Sequence, residues 1–366
     1  MPSASGGGAS LLTIDLEALA WNYRLLRERL GSAGCGAAVK ADAYGIGMTA
    51  AAPKLWGAGC RDFFVATLEE GALLRALLPE AAISVFNGLL PGEEADFAAQ
   101  NLVPVLNDPG QIERWATYCK ERGARPAAIH FDTGMARLGL MPSDTDALLA
   151  DPEILSAFGK LQVMSHLACA DTPDSAMNEA QRAAFARIAS ALPRATASLA
   201  NSYGVFLDPA YHFDLARPGI ALYGGNPAPA GINPMRQVVR LQGRILQVRQ
   251  IDAPQSVGYG ATFRAEGPLR LATVAAGYAD GYLRYLSNRG HAWVGDKRVA
   301  VVGRVSMDLI SLDVTGLPEN AAQPGGLVDL LSPREGVDGL AAEAGTIPYE
   351  ILTALGARYR RSYLGR

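Results

Sequence analysis

The chain has 366 residues, 49% hydrophobic and 19% charged, enough for a sizeable core in about two domains by the usual length prior. Its 33 basic and 36 acidic residues are mixed along the sequence to a formal net charge of −3. That leaves no electrostatic footprint for nucleic acid or anionic lipid, and a small-molecule substrate is expected instead. The four cysteines, Cys35, Cys60, Cys119 and Cys169, have neither metal-ligand nor C-x-x-C spacing; they read as buried, reduced thiols, and no metal site is expected.

The opening MPSASGGGAS lacks a basic n-region and an apolar h-region, and no later apolar span is long enough to cross a bilayer. A cytoplasmic protein is expected, with residues 1–10 as a disordered leader. LLTIDLEALAWNYRLLRERLG then reads as a short strand and an amphipathic helix. Eight β-rich runs follow, most separated by helical segments: GAAVK, DFFVA, AISVF, LVPVL, AAIHF, LQVMSH, ASLAN and HFDLARPGIALYG. Their spacing predicts an α/β fold with an N-terminal (β/α)8 TIM-like barrel over 11–232, the alternative being an open doubly wound sheet. The first strand is a candidate member of a second domain. Past GGNPAPAGINP the long β-rich stretches predict a C-terminal, mainly β domain over 233–366, with GD as a hairpin turn and YEILTALGARYRRSY as a short closing helix.

A barrel places its chemistry just after the C-terminal ends of its strands. Lys40 ends the first run, Arg137 follows the fifth in HFDTGMARLG, His166 ends the sixth, Asn201 and Ser202 follow the seventh, and Arg217, Gly219 and Ile220 lie in and after the eighth. A lysine desolvated at a barrel mouth becomes a nucleophilic amine suited to Schiff-base chemistry. Ser202 with the Gly219 and Ile220 backbone amides suits a phosphate. Pyridoxal phosphate carries both an aldehyde and a phosphate.

The motifs AVKADAYGIG, DTGMARLG, SH, NS, RPGIALYG, GYGATF, GYADGY and GRVSMDLI together resemble the alanine racemase family in order and spacing, over nearly the whole chain after the leader. The resemblance implies pyridoxal 5'-phosphate as cofactor, with Lys40 as its Schiff-base lysine and one acid/base group, and Tyr259 as the other. It implies that Tyr44, Ser202, Gly219, Ile220 and Tyr349 hold the phosphate beside Asn201, and that Arg217 faces the ring nitrogen with His166 adjacent. Arg137 and Met307 match positions that meet the substrate carboxylate, with Tyr278 of GYADGY as a further substrate-binding residue. It also implies a homodimer in which Tyr259 and Met307 complete the partner's pocket.

Racemisation removes a Cα proton from one face of a planar intermediate and returns it on the other, so two flanking groups are required. An arginine at the ring nitrogen keeps its own proton and weakens the ring as an electron sink, which favours reprotonation over transamination. Tyr259, ordinarily near pKa 10, needs positive charge nearby to act as a base, and Arg217 acting through His166 is the expected source. The chain departs from the family pattern at His130, where many relatives carry a carbamylated lysine that orients the arginine. A chloride, a water or another carboxylate is expected there instead, chloride first, because histidine can donate to it. Alternatives are a racemase of serine or another small amino acid, a decarboxylase on the same barrel, and a cofactor-binding protein without catalysis. Arg137 counts against the second and the β domain against the third.

Overall fold

The computed structural model describes residues 10–229 and 231–366. Strand β1 (Leu11–Asp15) leads straight into helix α1 (Leu16–Leu30). Asp15 caps that helix by accepting from Ala18 N–H at 2.9 Å, and Leu16, Leu19, Tyr23, Leu26 and Leu30 form its buried stripe at helical spacing. The barrel strands are β2 (Gly34–Cys35), β3 (Ala37–Ala38), β4 (Asp62–Val65), β5 (Ala82–Val85), β6 (Val103–Leu106), β7 (Arg125–His130), β8 (Phe158–Met164), β9 (Thr196–Ser198) and β10 (Leu215–Ala216). β3 through β9 pair in parallel in sequence order, and β10 pairs with β2. Backbone bonds close the ring: Asp214 N–H to Ala197 and Arg217 N–H to Ala200 on one side of β10, Gly36 N–H to Ala216 and Ala38 N–H to Pro218 on the other. β2 and β3 are thus one barrel strand interrupted at Gly36, and the eight runs read from the sequence are the eight staves. Only Leu215–Ala216 of the eighth run is strand, and Ile220–Tyr223 form a 3-10 turn.

The second sheet is built on the long β11 (Val239–Ile251), which pairs antiparallel with β1 and with strands Leu269–Ala275 and Leu327–Leu331. β1 also pairs in parallel with the last strand, Arg360–Leu364, so the chain's first strand belongs to this sheet and not to the barrel. Ser10, read from the sequence as the end of the leader, is buried and its hydroxyl bonds the Ala275 carbonyl; the rest of the leader, residues 1–9, lies outside the described residues. Gly295 and Asp296 turn the hairpin between His291–Val294 and Lys297–Ala300 as expected. The closing segment differs from its reading: only Pro348–Thr353 is helix, and ARYRRSY runs into the strand beside β1. No helix among the described residues is long and apolar enough to cross a membrane.

Candidate active site

Lys40 does not end a strand; it opens a one-turn helix, α2 (Lys40–Tyr44), of the wrong hand. Ala41, Asp42, Ala43 and Tyr44 all have φ between 53° and 55°, a conformation costing L-residues roughly 1–2 kcal/mol each. Surrounding groups hold it. The Glu70 carboxylate accepts from Ala41 N–H at 2.6 Å, and Asp42 accepts from Met48 N–H at 2.7 Å. Arg361 and Tyr363 of the last strand donate to the Gly45 and Ile46 carbonyls at 2.8 and 2.9 Å. Tyr44 is buried and stacks on Tyr223 with ring centroids 4.5 Å apart, and lies 5.8 Å from the Tyr349 ring.

The Lys40 amine lies 5.7 Å from the Phe86 ring centroid and makes no ion pair among the described residues. Burial first, then the charge of Arg137, lowers its pKa, with Glu70 opposing. More of it is therefore present as the free, nucleophilic amine than for an exposed lysine.

Across the mouth Ser202 is buried, and its hydroxyl accepts from the backbone N–H groups of Gly219 at 2.9 Å and Ala221 at 3.2 Å. Ile220, between them, is buried. A Cβ on Gly219 would sit 2.2 Å from the Tyr44 hydroxyl, so only glycine leaves room there. The Gly219 and Ala221 amides are spent on the Ser202 oxygen and so aim its hydroxyl hydrogen elsewhere; that hydroxyl, the Tyr44 hydroxyl and the bare Gly219 backbone suit a phosphate, and with a free lysine amine on the Tyr44 turn the residues fit pyridoxal phosphate. Asn201 stands next to this cradle, but its side-chain oxygen is committed to Gly204 N–H at 2.9 Å.

Arg217 is buried just after β10. It donates to the Ser198 hydroxyl, to the Ser165 carbonyl at 2.6 Å and to the Leu199 carbonyl at 3.5 Å. Burial pulls its pKa down to about 10, so it stays protonated near neutrality. His166 is held far below its usual range by burial, then by Arg217, Arg137, His130 and Lys40. The ring is neutral and hemmed in by cations. Arg137 is exposed on the loop after β7, with no hydrogen bond or ion pair among the described residues. Its field at Lys40, His130 and His166 places it at the same rim.

Tyr259, Tyr278 and Met307 are not part of this group in the single chain. They are 72%, 42% and 52% exposed and line a separate cleft of the β domain with Arg284, Arg304 and Asp308. Arg217 and His166 do not line that cleft. The Tyr278 turn docks on the Met307 turn through Tyr278 N–H to Ser306 and Ala279 N–H to Met307, at 3.1 and 3.0 Å. Sequence reading missed Ser165 and Ser198, the partners of Arg217, together with Glu70 and Asn107. Ser165 and Asn107 directly follow β8 and β6, and the strand-end rule applied to every polar residue would have found them.

Fold and site together define a class of protein: a barrel enzyme with a half-buried lysine just past its first barrel strand, a small-residue cradle after its last, and a β domain that carries a second, exposed set of polar and aromatic side chains. Family models describe residues 14–227 as the N-terminal domain of alanine racemase and 238–363 as its C-terminal domain. The chain is 55% identical over 359 residues to an alanine racemase of Rhodospirillum rubrum, covering 97% of this chain and 96% of that one. It is 49% identical over 363 residues to a catabolic alanine racemase of Agrobacterium fabrum, covering 99% and 94%. The solved structure of alanine racemase from Bartonella henselae with covalently bound pyridoxal phosphate superposes with a TM-score of 0.94 at 41% identity, covering 98% and 100%. The chain belongs to the alanine racemase family.

Proposed function

We propose that the protein interconverts L-alanine and D-alanine with pyridoxal 5'-phosphate, using Lys40 and Tyr259 as acid/base groups on opposite faces of the substrate. The observation that carries the reading is the free Lys40 amine on the same rim as the Ser202, Gly219 and Tyr44 cradle. When bound, the cofactor supplies a conjugated, electron-withdrawing ring that makes the α-proton of an attached amino acid removable. Lys40, its pKa lowered by burial and by Arg137, holds and returns a proton at Nζ. Arg217, fixed by Ser198 and Ser165 and protonated throughout, offers donors to the ring without giving up a proton. The exposed Arg137 guanidinium binds the substrate carboxylate, which argues for its retention rather than its loss.

Tyr259, Tyr278 and Met307 are exposed in one chain, and racemisation needs a second proton carrier. Both points support a two-fold homodimer in which this cleft caps the partner's barrel. Tyr349 and Asn201 belong to the cofactor side in the same reading, and the protein works in the cytoplasm. Incubation with L-alanine tests the activity: D-alanine should accumulate to an equal mixture. An amine product, or no D-alanine from cofactor-loaded protein, would refute it.

A further inference from the structure

His130 closes β7, and its neighbour fixes what the ring can do. Asn107, the residue after β6, is buried. Both hydrogens of its side-chain amide are committed: Nδ2 donates to the Phe86 carbonyl at 3.1 Å and to the Val105 carbonyl at 2.8 Å. Its backbone N–H donates to Gln111 Oε1 at 2.9 Å. Gly88 permits this close packing, because a Cβ there would lie 2.3 Å from Gln111 Oε1 and 2.9 Å from Asn107 Nδ2. Flipping the amide would turn its oxygen against two carbonyls. Asn107 Oδ1 therefore faces His130 Nδ1, at 2.8 Å. A carbonyl oxygen only accepts, so Nδ1 carries the hydrogen. Burial, then Arg217 and Arg137, push the His130 pKa down to about 4 against the opposing charge of Asp132. The ring is neutral at ordinary pH and Nε2 is a bare lone pair.

We propose that Asn107 is a positioning residue: it locks His130 in the Nδ1–H tautomer, leaving Nε2 a neutral acceptor and no N–H free to donate on the rim that Arg137 shares. The role of Arg137 rests on the racemase reading; the tautomer does not. The charged groups acting on His130 are Arg217 at the end of β10 and Arg137 and Asp132 on the loop after β7, and His166 couples to it from the end of β8. Asp132 shapes the loop, since its carboxylate accepts from the Gly134, Met135 and Ala136 N–H groups at 2.9, 2.8 and 2.9 Å. The chloride expected from the sequence loses its donor, because His130 spends its one N–H on Asn107 and would turn a lone pair toward an anion.

The test is nitrogen NMR of the holoenzyme labelled at histidine, the His130 signals being those absent from His130→Gln among the chain's four histidines. Between pH 6 and 9, Nδ1 should show the protonated shift and Nε2 the bare one; the opposite tautomer, or a charged ring, overturns the proposal whatever the activity. Asn107→Leu should raise the Michaelis constant for alanine about tenfold, because the freed ring can turn an N–H toward the Arg137 side of the rim. Its kcat should stay within about threefold of wild type. A fall in kcat with an unchanged Michaelis constant would overturn the positioning role. Replacing chloride by a bulky anion should leave the wild-type Michaelis constant unchanged, and a chloride-dependent constant would likewise overturn it. If Asn107→Leu does not fold, the wild-type tautomer and chloride measurements still decide.

Discussion

Gly219→Ala isolates the phosphate cradle from the chemistry. The added Cβ would stand 2.2 Å from the Tyr44 hydroxyl and 2.9 Å from Tyr44 Cζ, so something must give by roughly 1 Å to reach an ordinary carbon contact. Tyr44 has little freedom to do so: it is buried, stacked on Tyr223, and sits at the end of the left-handed turn. Overpacking of this kind costs about 1–3 kcal/mol, more than the ~0.4–1 kcal/mol that alanine returns by restricting the unfolded chain. Movement of residue 219 also pulls its N–H and that of Ala221 off Ser202, so cofactor affinity should fall at least about tenfold, the equivalent of one such contact. Urea unfolding of the apoprotein reads the first effect and fluorescence titration with pyridoxal phosphate the second. In Tyr44→Phe/Gly219→Ala the closest atom is gone but Cζ stays, so only part of both losses should return. A Gly219→Ala protein with wild-type stability and affinity would refute the reasoning, as would a double variant showing no coupling.

Lys40→Ala should yield no borohydride-reducible adduct with pyridoxal phosphate, and a surviving adduct would move the lysine assignment elsewhere. Lys40→Ala and Tyr259→Phe proteins, each inactive, should regain about a quarter of wild-type activity when unfolded and refolded together, because half the dimers are then hybrids with one intact site; no recovery would mean that both groups act within one subunit. The folded His130 pKa of about 4 lies below the ordinary histidine value of about 6.5. The unfolded state thus binds more protons, and stability should fall as pH drops from about 6.5 to about 4, by on the order of 3 kcal/mol for this group, with His166 acting in the same direction. Urea midpoints across that range test this, and the slope should flatten in His130→Gln; a flat wild-type profile would count against a neutral, half-buried ring. Arg361→Ala, which removes the donor to Gly45, should weaken cofactor binding while leaving the barrel folded by circular dichroism; unchanged affinity would mean that the brace is dispensable.

The barrel could be read from the sequence because each stave is a short apolar run broken by polar residues, and because Lys40, His166, Ser202 and Arg217 interrupt that pattern at one end. What could not be read is non-local. β1 leaves the barrel for a sheet whose other members lie more than two hundred residues away, and nothing in LLTID selects between them. RRSYL looks like the tail of a helix until β1 is available to pair with it. ADAY carries no glycine, and no local preference puts alanine, aspartate and tyrosine at positive φ in succession. The partners of Arg217 were missed because serines are common and a carbonyl has no signature. The distance of Tyr259 from Lys40 in sequence was visible, but only the fold shows it on an exposed face.

The left-handed turn links the β domain to a site whose proposed cofactor residues lie mostly in the barrel. Four residues of the wrong hand cost roughly 4–8 kcal/mol together, a sizeable part of an ordinary domain's stability. No barrel contact alone offsets that: Glu70 and Asp42 each supply a charge-assisted bond to the backbone, and such bonds contribute about 1.5–3 kcal/mol apiece. The remainder comes from the β domain, through Arg361 and Tyr363 on the carbonyls that follow the turn and Tyr349 beside the Tyr44 ring. The last strand holds Arg361 and Tyr363 in place only because β1 pairs with it, and β1 runs directly into the first helix of the barrel. The β domain thus acts on Lys40 of the same chain through the backbone of α2, independently of its exposed tyrosine. Within one chain its contribution is to hold Lys40 and Tyr44 in the one backbone conformation that sets the amine and the phenol on the same rim as Ser202 and Gly219.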